Sequence, residues 1–182
     1  MKLLTDEQVI KQYRLASLIR FNQRLRIHSE NVAEHSEFVA LFCTEILSKL
    51  DLPPEMERDI MILAVMHDIP EIYTSDVPYP VKCAYPEIET VLREAEKDYI
   101  IKNYKKFSDI LLNPHPLVKA VMKLADIYSV LQYCLIEQQL GNKTTDNDDI
   151  LQDTRKRLDQ QLKLVNKLYK EFKDDEKGLN EG

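Results

Sequence analysis

Four ionisable residues stand in or beside segments of this chain that are otherwise apolar. His67 and Asp68 directly follow the run IMILAVM, Asp126 interrupts AVMKLADIYSVL, and His35 occupies an apolar helix stripe where a leucine would be expected. A carboxylate buried without a partner is costly because it loses its hydration, and its pKa then shifts strongly. The fold must therefore compensate for these groups.

Two interpretations account for such residues. Taken singly, a core histidine usually bonds a backbone carbonyl, and an aspartate near a helix end is usually a cap. The adjacent pair favours another interpretation. Neighbours within a helix point about 100° apart, but both side chains can turn towards one point where a helix ends. Two imidazoles and two carboxylates form a mixed site suited to manganese, iron, cobalt, nickel or zinc. One buried cation would neutralise both acids.

The hydrophobic pattern predicts that helices position these residues. Glycine occurs only three times, so tight hairpins are few. Apolar residues recur at steps of three and four along most of the chain, which is typical of amphipathic helices. We predict an all-α fold of six or more helices with no convincing strand. The predicted helices span residues 6–21, 32–50, 55–67, 88–99, 117–140 and 151–172.

Several local signals set the boundaries of these elements. Asn31, with Glu34 three residues later, predicts a capping box at the start of the second helix. Pro78 and Pro80 predict a turn or loop. The stretch GNKTTDNDD, residues 141–149, predicts a polar connection before the last helix.

Composition limits the class of protein. The chain has 182 residues, 44% of them hydrophobic, which suits a single folded domain over residues 1–175 with a frayed tail at 176–182. The net charge of −6 argues against binding a nucleic-acid polymer. Three cysteines without CxxC spacing indicate reduced thiols. With no leader-like start and no apolar run of membrane-spanning length, we expect a soluble cytoplasmic protein that does not bind a membrane.

Longer motifs surround the four residues. The segments RFNQRLRIHSENVAEHS, HDIPEIYTSDVPYPVK and KLADIYSVL resemble the bacterial 5'-deoxynucleotidase branch of the HD-domain metal-dependent phosphohydrolases. A bare His-Asp pair is a weak motif, but ENVxEHS joined to HDxxE, DxPxPxK and a downstream aspartate is much more specific. The resemblance runs from about Leu15 to the end of the helix predicted at 117–140. It implies a single-domain HD-type helical bundle.

The resemblance also implies a role for each motif residue. Arg20 would bind the substrate phosphate, and Glu71 would handle protons or place the attacking water. Asp76 would lie at the sugar end, near its hydroxyl. Taken alone, each has an ordinary interpretation as an exposed or capping residue, and only the offset from the metal ligands favours a functional role. One divalent ion (Mn, Co, Fe, Ni or Zn) would be held by four ligands: His35, His67, Asp68 and Asp126.

One position departs from the family pattern. The family commonly has tryptophan directly after the phosphate-binding arginine, whereas this chain has Phe21 there and no tryptophan anywhere. A phenylalanine can still pack against a sugar, but it offers less area and no N–H. The resemblance therefore leaves the choice between deoxyribose and ribose open.

The implied activity is that of a metal-dependent phosphomonoesterase. Its substrates would be (deoxy)ribonucleoside 5'-monophosphates, its products nucleoside and phosphate, and its assembly a homodimer. Two alternatives stay open: an HD-family hydrolase of a diester, triphosphate or alarmone, and a non-catalytic helical dimer that senses nucleotides. The presence of all four ligands and of Glu71 favours an enzyme.

Overall fold

A computed structural model describes residues 3–180 of the chain. Within that range there is no β-strand, and one isolated bridge pairs Ile19 with Asn31. The predicted all-α fold of six or more helices is therefore confirmed. The helices are α1 (Asp6–Tyr13), α2 (Val32–Leu47), α3 (Pro54–Met66), α4 (Glu71–Thr74), α5 (Tyr79–Ala84), α6 (Pro86–Asn103), α7 (Ser108–Leu112), α8 (Pro116–Gln139) and α9 (Thr145–Asn180).

The core lies between α2, α3, α8 and α9, and α8 packs against the other three. Each of these helices contributes apolar side chains at helical spacing, so burying them against α8 drives the assembly. The shorter helices α4 to α7 pack at one side, where α6 contacts α4, α5 and α7. Buried core residues include Val39, Ile60, Leu63, Leu117, Val121 and Val165.

The start of α2 follows the predicted capping box. The Asn31 side chain accepts a hydrogen bond from the Glu34 amide at 3.0 Å, and the Glu34 carboxylate accepts one from the Asn31 amide at 2.9 Å. Without these two side-chain acceptors, the Asn31 and Glu34 amides would lack hydrogen-bond partners at the helix start. The buried stripe of α2 begins with Val32 and His35. The cap thus fixes the turn that carries His35 into the core.

The first helix is shorter than the predicted span of residues 6–21. It ends at Tyr13, continues as a 3-10 turn over Arg14–Ser17, and then becomes extended. The Arg20 amide donates to the Glu30 carbonyl and the Val32 amide to the Leu18 carbonyl, both at 2.9 Å. These cross-chain hydrogen bonds override the local helical pattern, because extended backbone is needed to make them.

Two predicted loops are partly helical. The segment with Pro78 and Pro80 forms α5, since proline is tolerated in a first helical turn, where the missing N–H has no partner to lose. The predicted connection at 141–149 ends early, because α9 begins at Thr145. Asp146 and Asp148 in the first turn of α9 favour a helix start.

The last helix is longer than predicted. It remains helical to Asn180, so it includes most of the predicted tail at 176–182, and residues 181 and 182 lie outside the described range. The domain limits at 1–175 stay a prediction. None of the described helices combines the length and apolar character that a membrane-spanning segment needs.

Candidate active site

Two imidazole rings from different helices meet at the centre of the site. His35 comes from the buried face of α2, and His67 directly follows α3. Their Nε2 atoms are 3.4 Å apart. The His67 Nδ1–H donates to the Ala64 carbonyl at 2.9 Å, and the His35 Nδ1 lies 2.9 Å from the Ser129 hydroxyl of α8. Because each Nδ1 has a partner, both rings are oriented with Nε2 towards the same point.

Two carboxylates join the imidazoles. An Asp68 oxygen lies 3.2 Å from the His67 Nε2 and 3.6 Å from the His35 Nε2. An Asp126 oxygen lies 3.2 Å from the His35 Nε2, and the other Asp126 oxygen forms an ion pair with Lys123. Of the four residues proposed as ligands, the structure therefore gathers His35, His67 and Asp68 most closely, and Asp126 joins this group through its contact with His35. Potential ligand atoms of His35, His67 and Asp68 lie within 4.8 Å of one another.

The end of α3 explains how neighbouring residues share one point. Regular helix stops at Met66, and the following backbone makes tight turns, with the Glu71 amide donating to the Asp68 carbonyl at 3.0 Å. His67 itself keeps helical backbone angles, and the i to i−3 hydrogen bonds that follow tighten the chain around Asp68. The end of α3 at Met66, four residues before Pro70, therefore places His67 and Asp68 in the turn that enters the site.

The donor set fits a divalent transition metal. Burial and the nearby Arg20 lower the pKa of His35 to about 4, so its imidazole is neutral at physiological pH. Metal ligands must be deprotonated, and a neutral imidazole beside ionised carboxylates meets that requirement. Burial disfavours a charged His67, but the neighbouring Asp68 outweighs it and raises the pKa of His67, so a proton competes with a metal ion for this ring.

Arg20 approaches the same point from the extended segment after the 3-10 turn. Its Nη1 lies 3.5 Å from an Asp68 oxygen, and its Nε lies 3.3 Å from an oxygen of Glu30. Sequence reasoning missed Glu30, which is only 3% exposed. Glu30 stands just before the capping Asn31 in the ENVAEHS motif. Its partner is ten residues upstream, across a backbone pairing that helical periodicity does not reveal.

Glu71 and Asp76 follow His67 and Asp68 along the chain. Glu71 opens α4, is 9% exposed, and its buried Oε2 has no hydrogen-bond partner among the described residues. Burial, with Asp68 and Asp76 close by, raises the pKa of Glu71 to about 9. Ser75, between them, has a φ of 64°, a left-handed conformation that non-glycine residues rarely adopt. Such strain is often found at functional sites.

These side chains border one cavity of about 390 Å³. Its size falls within the usual range for small-molecule sites. The polar part is bordered by Arg20, Asp68, Glu71, Asp76, Lys82, Lys123 and Asp126. The apolar part is bordered by Phe21, Val77, Pro78, Val130 and Ile150. Further polar residues complete the lining, so the apolar side chains form one patch in a largely polar cavity: Gln23, Arg24, Asp149, Asp153, Thr154 and Arg157.

Comparison with known sequences identifies the family. A sequence profile described as YfbR-like 5'-deoxynucleotidase matches residues 10–174. The chain belongs to this family. A 5'-deoxynucleotidase of Shewanella oneidensis is 28% identical over 142 residues, covering 71% of this chain and 73% of the relative. The 5'-deoxynucleotidase YfbR of Escherichia coli is 29% identical over 156 residues, covering 78% and 76%.

Solved structures share the fold. A cyanophage S-2L HD phosphohydrolase, bound to dA and one catalytic Zn²⁺ ion, has a TM-score of 0.71 at 17% identity and covers 94% of this chain and 99% of its own. An HD-domain phosphohydrolase of Listeria innocua has a TM-score of 0.69 at 22% identity, with 92% and 86% covered. These similarities confirm the predicted HD-type helical bundle.

Phe21 takes an unusual conformation in this YfbR-like chain. Its φ of 52° is again left-handed for a residue with a bulky side chain. The ring stacks on Tyr133 with centroids 4.3 Å apart and planes inclined by 15°. The Arg20 guanidinium carbon lies 5.5 Å from the Phe21 centroid. The strained backbone therefore places an aromatic ring directly beside the arginine, with Tyr133 supporting its other face.

The loop between Phe21 and Asn31 is fastened to the end of α8. Glu137, which is 1% exposed, accepts hydrogen bonds from the Ile27 amide at 2.9 Å and the His28 amide at 2.5 Å. The Asn142 side chain donates to the Leu25 carbonyl at 3.0 Å and also bonds Glu137. The sequence offered one signal for Glu137: it lies four residues after buried Tyr133, on the same face of α8.

Removing the Glu137 carboxylate should loosen this loop. We expect Glu137→Ala to speed hydrogen exchange at the Ile27 and His28 amides by at least about tenfold, because both lose their acceptor. Exchange measured by mass spectrometry over residues 21–31 tests this. Gln138→Ala, at the exposed neighbouring position, is the matched control. Equal exchange in the two variants would contradict the role of Glu137.

Proposed function

We propose that this protein is a metal-dependent phosphomonoesterase that hydrolyses deoxyribonucleoside 5'-monophosphates to deoxyribonucleoside and phosphate. One observation carries the proposal: two imidazole Nε2 atoms converge with the carboxylates of Asp68 and Asp126, and these two carboxylates border the same cavity as Arg20. The relatives named 5'-deoxynucleotidases support the reaction, and the phage neighbour bound to dA and Zn²⁺ supports the ligand class.

The metal would be one divalent ion of the manganese, cobalt, iron, nickel or zinc group. Its ligands would be His35, His67, Asp68 and Asp126. When bound, the ion supplies Lewis acidity to the phosphoryl group and lowers the pKa of water. The contacts of the two Nδ1 atoms with Ser129 and Ala64 orient the imidazoles before any ion arrives.

Arg20 would bind the phosphate. A guanidinium carries five donors in a plane, so it can contact two carboxylates and still direct N–H groups at phosphate oxygens. The Nε and Nη1 of Arg20 face Glu30 and Asp68, which holds its charge at the metal end of the cavity. Charge-assisted hydrogen bonds to a dianionic phosphate would then orient the ester bond.

Glu71 would transfer the proton that the leaving 5'-oxygen needs. Its carboxyl is buried, and its unpartnered Oε2 makes it available to a substrate atom. The pKa of about 9 keeps the carboxyl protonated in the metal-free chain. A nearby cation lowers that pKa towards the operating pH, where a general acid works best.

The sugar and base would lie along the rest of the cavity. Asp76 is placed to accept a hydrogen bond from a sugar hydroxyl, while Phe21, Val130 and Ile150 give an apolar wall for the deoxyribose and base. A deoxyribose presents one hydroxyl fewer than a ribose, so an apolar wall at this place favours it.

We also propose that the protein forms a homodimer in the cytoplasm. The side chains of Val9, Ile10 and Tyr13 on α1 are exposed by 58%, 65% and 76%, and α1 buries none of its residues within the chain. A helix of eight residues has little stability by itself, so a second subunit packed there would stabilise it.

Turnover assays test the proposed reaction. The purified protein should release phosphate from dAMP and dTMP with manganese or cobalt, and lose this activity on chelation. His67→Ala should lose both activity and metal. A panel of mono-, di-, tri- and cyclic nucleotides separates the alternatives. Tight nucleotide binding without hydrolysis under any of the metals would instead indicate a sensor.

Glu71→Ala separates chemistry from metal binding. We expect kcat for dAMP to fall by about 10²–10⁴, the usual effect of losing a general acid or base, while elemental analysis shows the same metal content. Glu94→Ala, an exposed glutamate on α6, is the control. Full turnover by Glu71→Ala would show that its assigned role is wrong.

Light scattering tests the assembly. A homodimer should give twice the chain mass of 21.4 kDa. If the mass is that of a dimer, Val9→Lys with Ile10→Lys should shift it to the monomer, because charged side chains cannot be buried there without a partner. A monomeric mass for the unmodified protein at micromolar concentration would rule out the proposed dimer.

A further inference from the structure

The second carboxylate beside Arg20, that of Glu30, is assigned neither to the metal nor to the substrate in the function proposed above. Glu30 is 3% exposed, although an ionised carboxylate is costly to bury. Its Oε1 lies 3.3 Å from the Arg20 Nε and 4.0 Å from the His35 Nδ1. Burial raises the pKa of Glu30 to about 7, and Arg20 opposes that rise. The ion pair with Arg20 offsets part of the cost of burying Glu30, which raises the question of what this contact does for Arg20.

The backbone holds the two residues opposite each other. The Arg20 amide donates to the Glu30 carbonyl at 2.9 Å, beside the bridge between Ile19 and Asn31. Residues opposite each other on paired segments have neighbouring side chains. Glu30 also lies directly before the capping box of α2, so its position is fixed from the helix side as well. The position of the Glu30 carboxylate is thus well defined, and the longer Arg20 side chain packs beside it.

Arg20 lies between two acids at different edges of its guanidinium. Glu30 faces Nε and Asp68 faces Nη1, at 3.3 and 3.5 Å. The contact between the Arg20 Nε and the Glu30 Oε1 is an ion pair without hydrogen-bond alignment, so its effect is mainly electrostatic. The other acids that attract the guanidinium, Asp68, Asp126 and Asp76, all border the cavity, so without Glu30 they would together draw Arg20 towards the carboxylates there. A second attraction on the opposite edge keeps it in between.

We propose that Glu30 is a positioning residue that sets the orientation of Arg20 for the substrate phosphate. It neither touches the substrate nor moves a proton. By attracting the Nε edge, it keeps Arg20 from collapsing onto Asp68 and leaves the remaining donors of the planar fork directed into the cavity. This inference rests on the proposed phosphatase function, because it takes phosphate as the ligand of Arg20.

The Glu30→Gln variant tests the proposal, since it removes the charge and keeps the shape. We expect the KM for dAMP and the inhibition constant of inorganic phosphate both to rise about tenfold, which corresponds to about 1.4 kcal/mol. The kcat should change less than about threefold, because a contact made equally in the ground and transition states affects KM alone. Inhibition by deoxyadenosine, which has no phosphate, should stay unchanged.

A double-mutant cycle shows whether Glu30 acts through Arg20. In an Arg20→Ala background, Glu30→Gln should have no further effect on phosphate inhibition, since the group it positions is gone. Glu37→Gln, an exposed glutamate on α2, is the matched control and should behave like the unmodified protein.

The outcomes separate this inference from the proposed function. If the unmodified protein hydrolyses dAMP and Glu30→Gln keeps the same KM and phosphate inhibition, the positioning role is wrong and the function stands. If the two substitutions have independent, multiplicative effects, Glu30 does not act through Arg20. If no monophosphate is hydrolysed, the function is wrong. Calorimetric titration with inorganic phosphate then still decides whether Glu30→Gln weakens binding at Arg20.

Discussion

The site depends on an electrostatic conflict that the fold maintains. Two imidazole Nε2 atoms are held 3.4 Å apart, and an oxygen of Asp68 and one of Asp126 lie 3.2 Å from the nearer ring. The two carboxylates repel each other in this buried place, and in the metal-free chain the effect of burial is outweighed by Asp68, which raises the pKa of His67, whose ring then supplies positive charge. Lys123 and Arg20 reduce the conflict from its edges. A cation bound between the two carboxylates would neutralise their repulsion, so the arrangement favours metal binding.

Helix α8 is the element that turns this conflict into a defined site. At steps of three and four residues it carries Asp126, Ser129, Tyr133 and Glu137 along one face. Asp126 and Ser129 contact the two ring nitrogens of His35, Tyr133 contacts the Phe21 ring, and Glu137 contacts the backbone of the loop that follows Arg20. Eleven residues of helix span about 16 Å. One continuous helix, α8, therefore sets the distance between the acidic cluster at Asp126 and the aromatic pair of Tyr133 and Phe21.

The sequence predicted what depends on periodicity and on motifs, and missed what depends on pairing across the chain. The helices α2, α6, α8 and α9 follow from apolar steps of three and four, and α3 follows from its Met, Leu and Ala content and its predicted start after two prolines. The capping box at Asn31 follows from two residues. The extended segment at Arg20 could not be predicted, because its partners Glu30 and Val32 lie on the far side of a loop. Glu30 and Glu137 were missed for the same reason. Each is buried by contacts with or within the loop at residues 21–31, and those contacts cannot be recognised from the sequence.

Phe21 shows how a missing indole is replaced by its surroundings. A tryptophan at this position would bring a larger ring and an N–H that can fix its orientation. Phe21 has neither, but its ring lies flat on Tyr133, and the Phe21 carbonyl accepts a hydrogen bond from Arg26 at 3.1 Å. Stacking on Tyr133 constrains the tilt of the Phe21 ring. The hydrogen bond from Arg26 stabilises the left-handed Phe21 backbone, which sets the direction of the ring. Selectivity at the sugar would then reside in the pair of rings and the loop that holds them, rather than in one side chain.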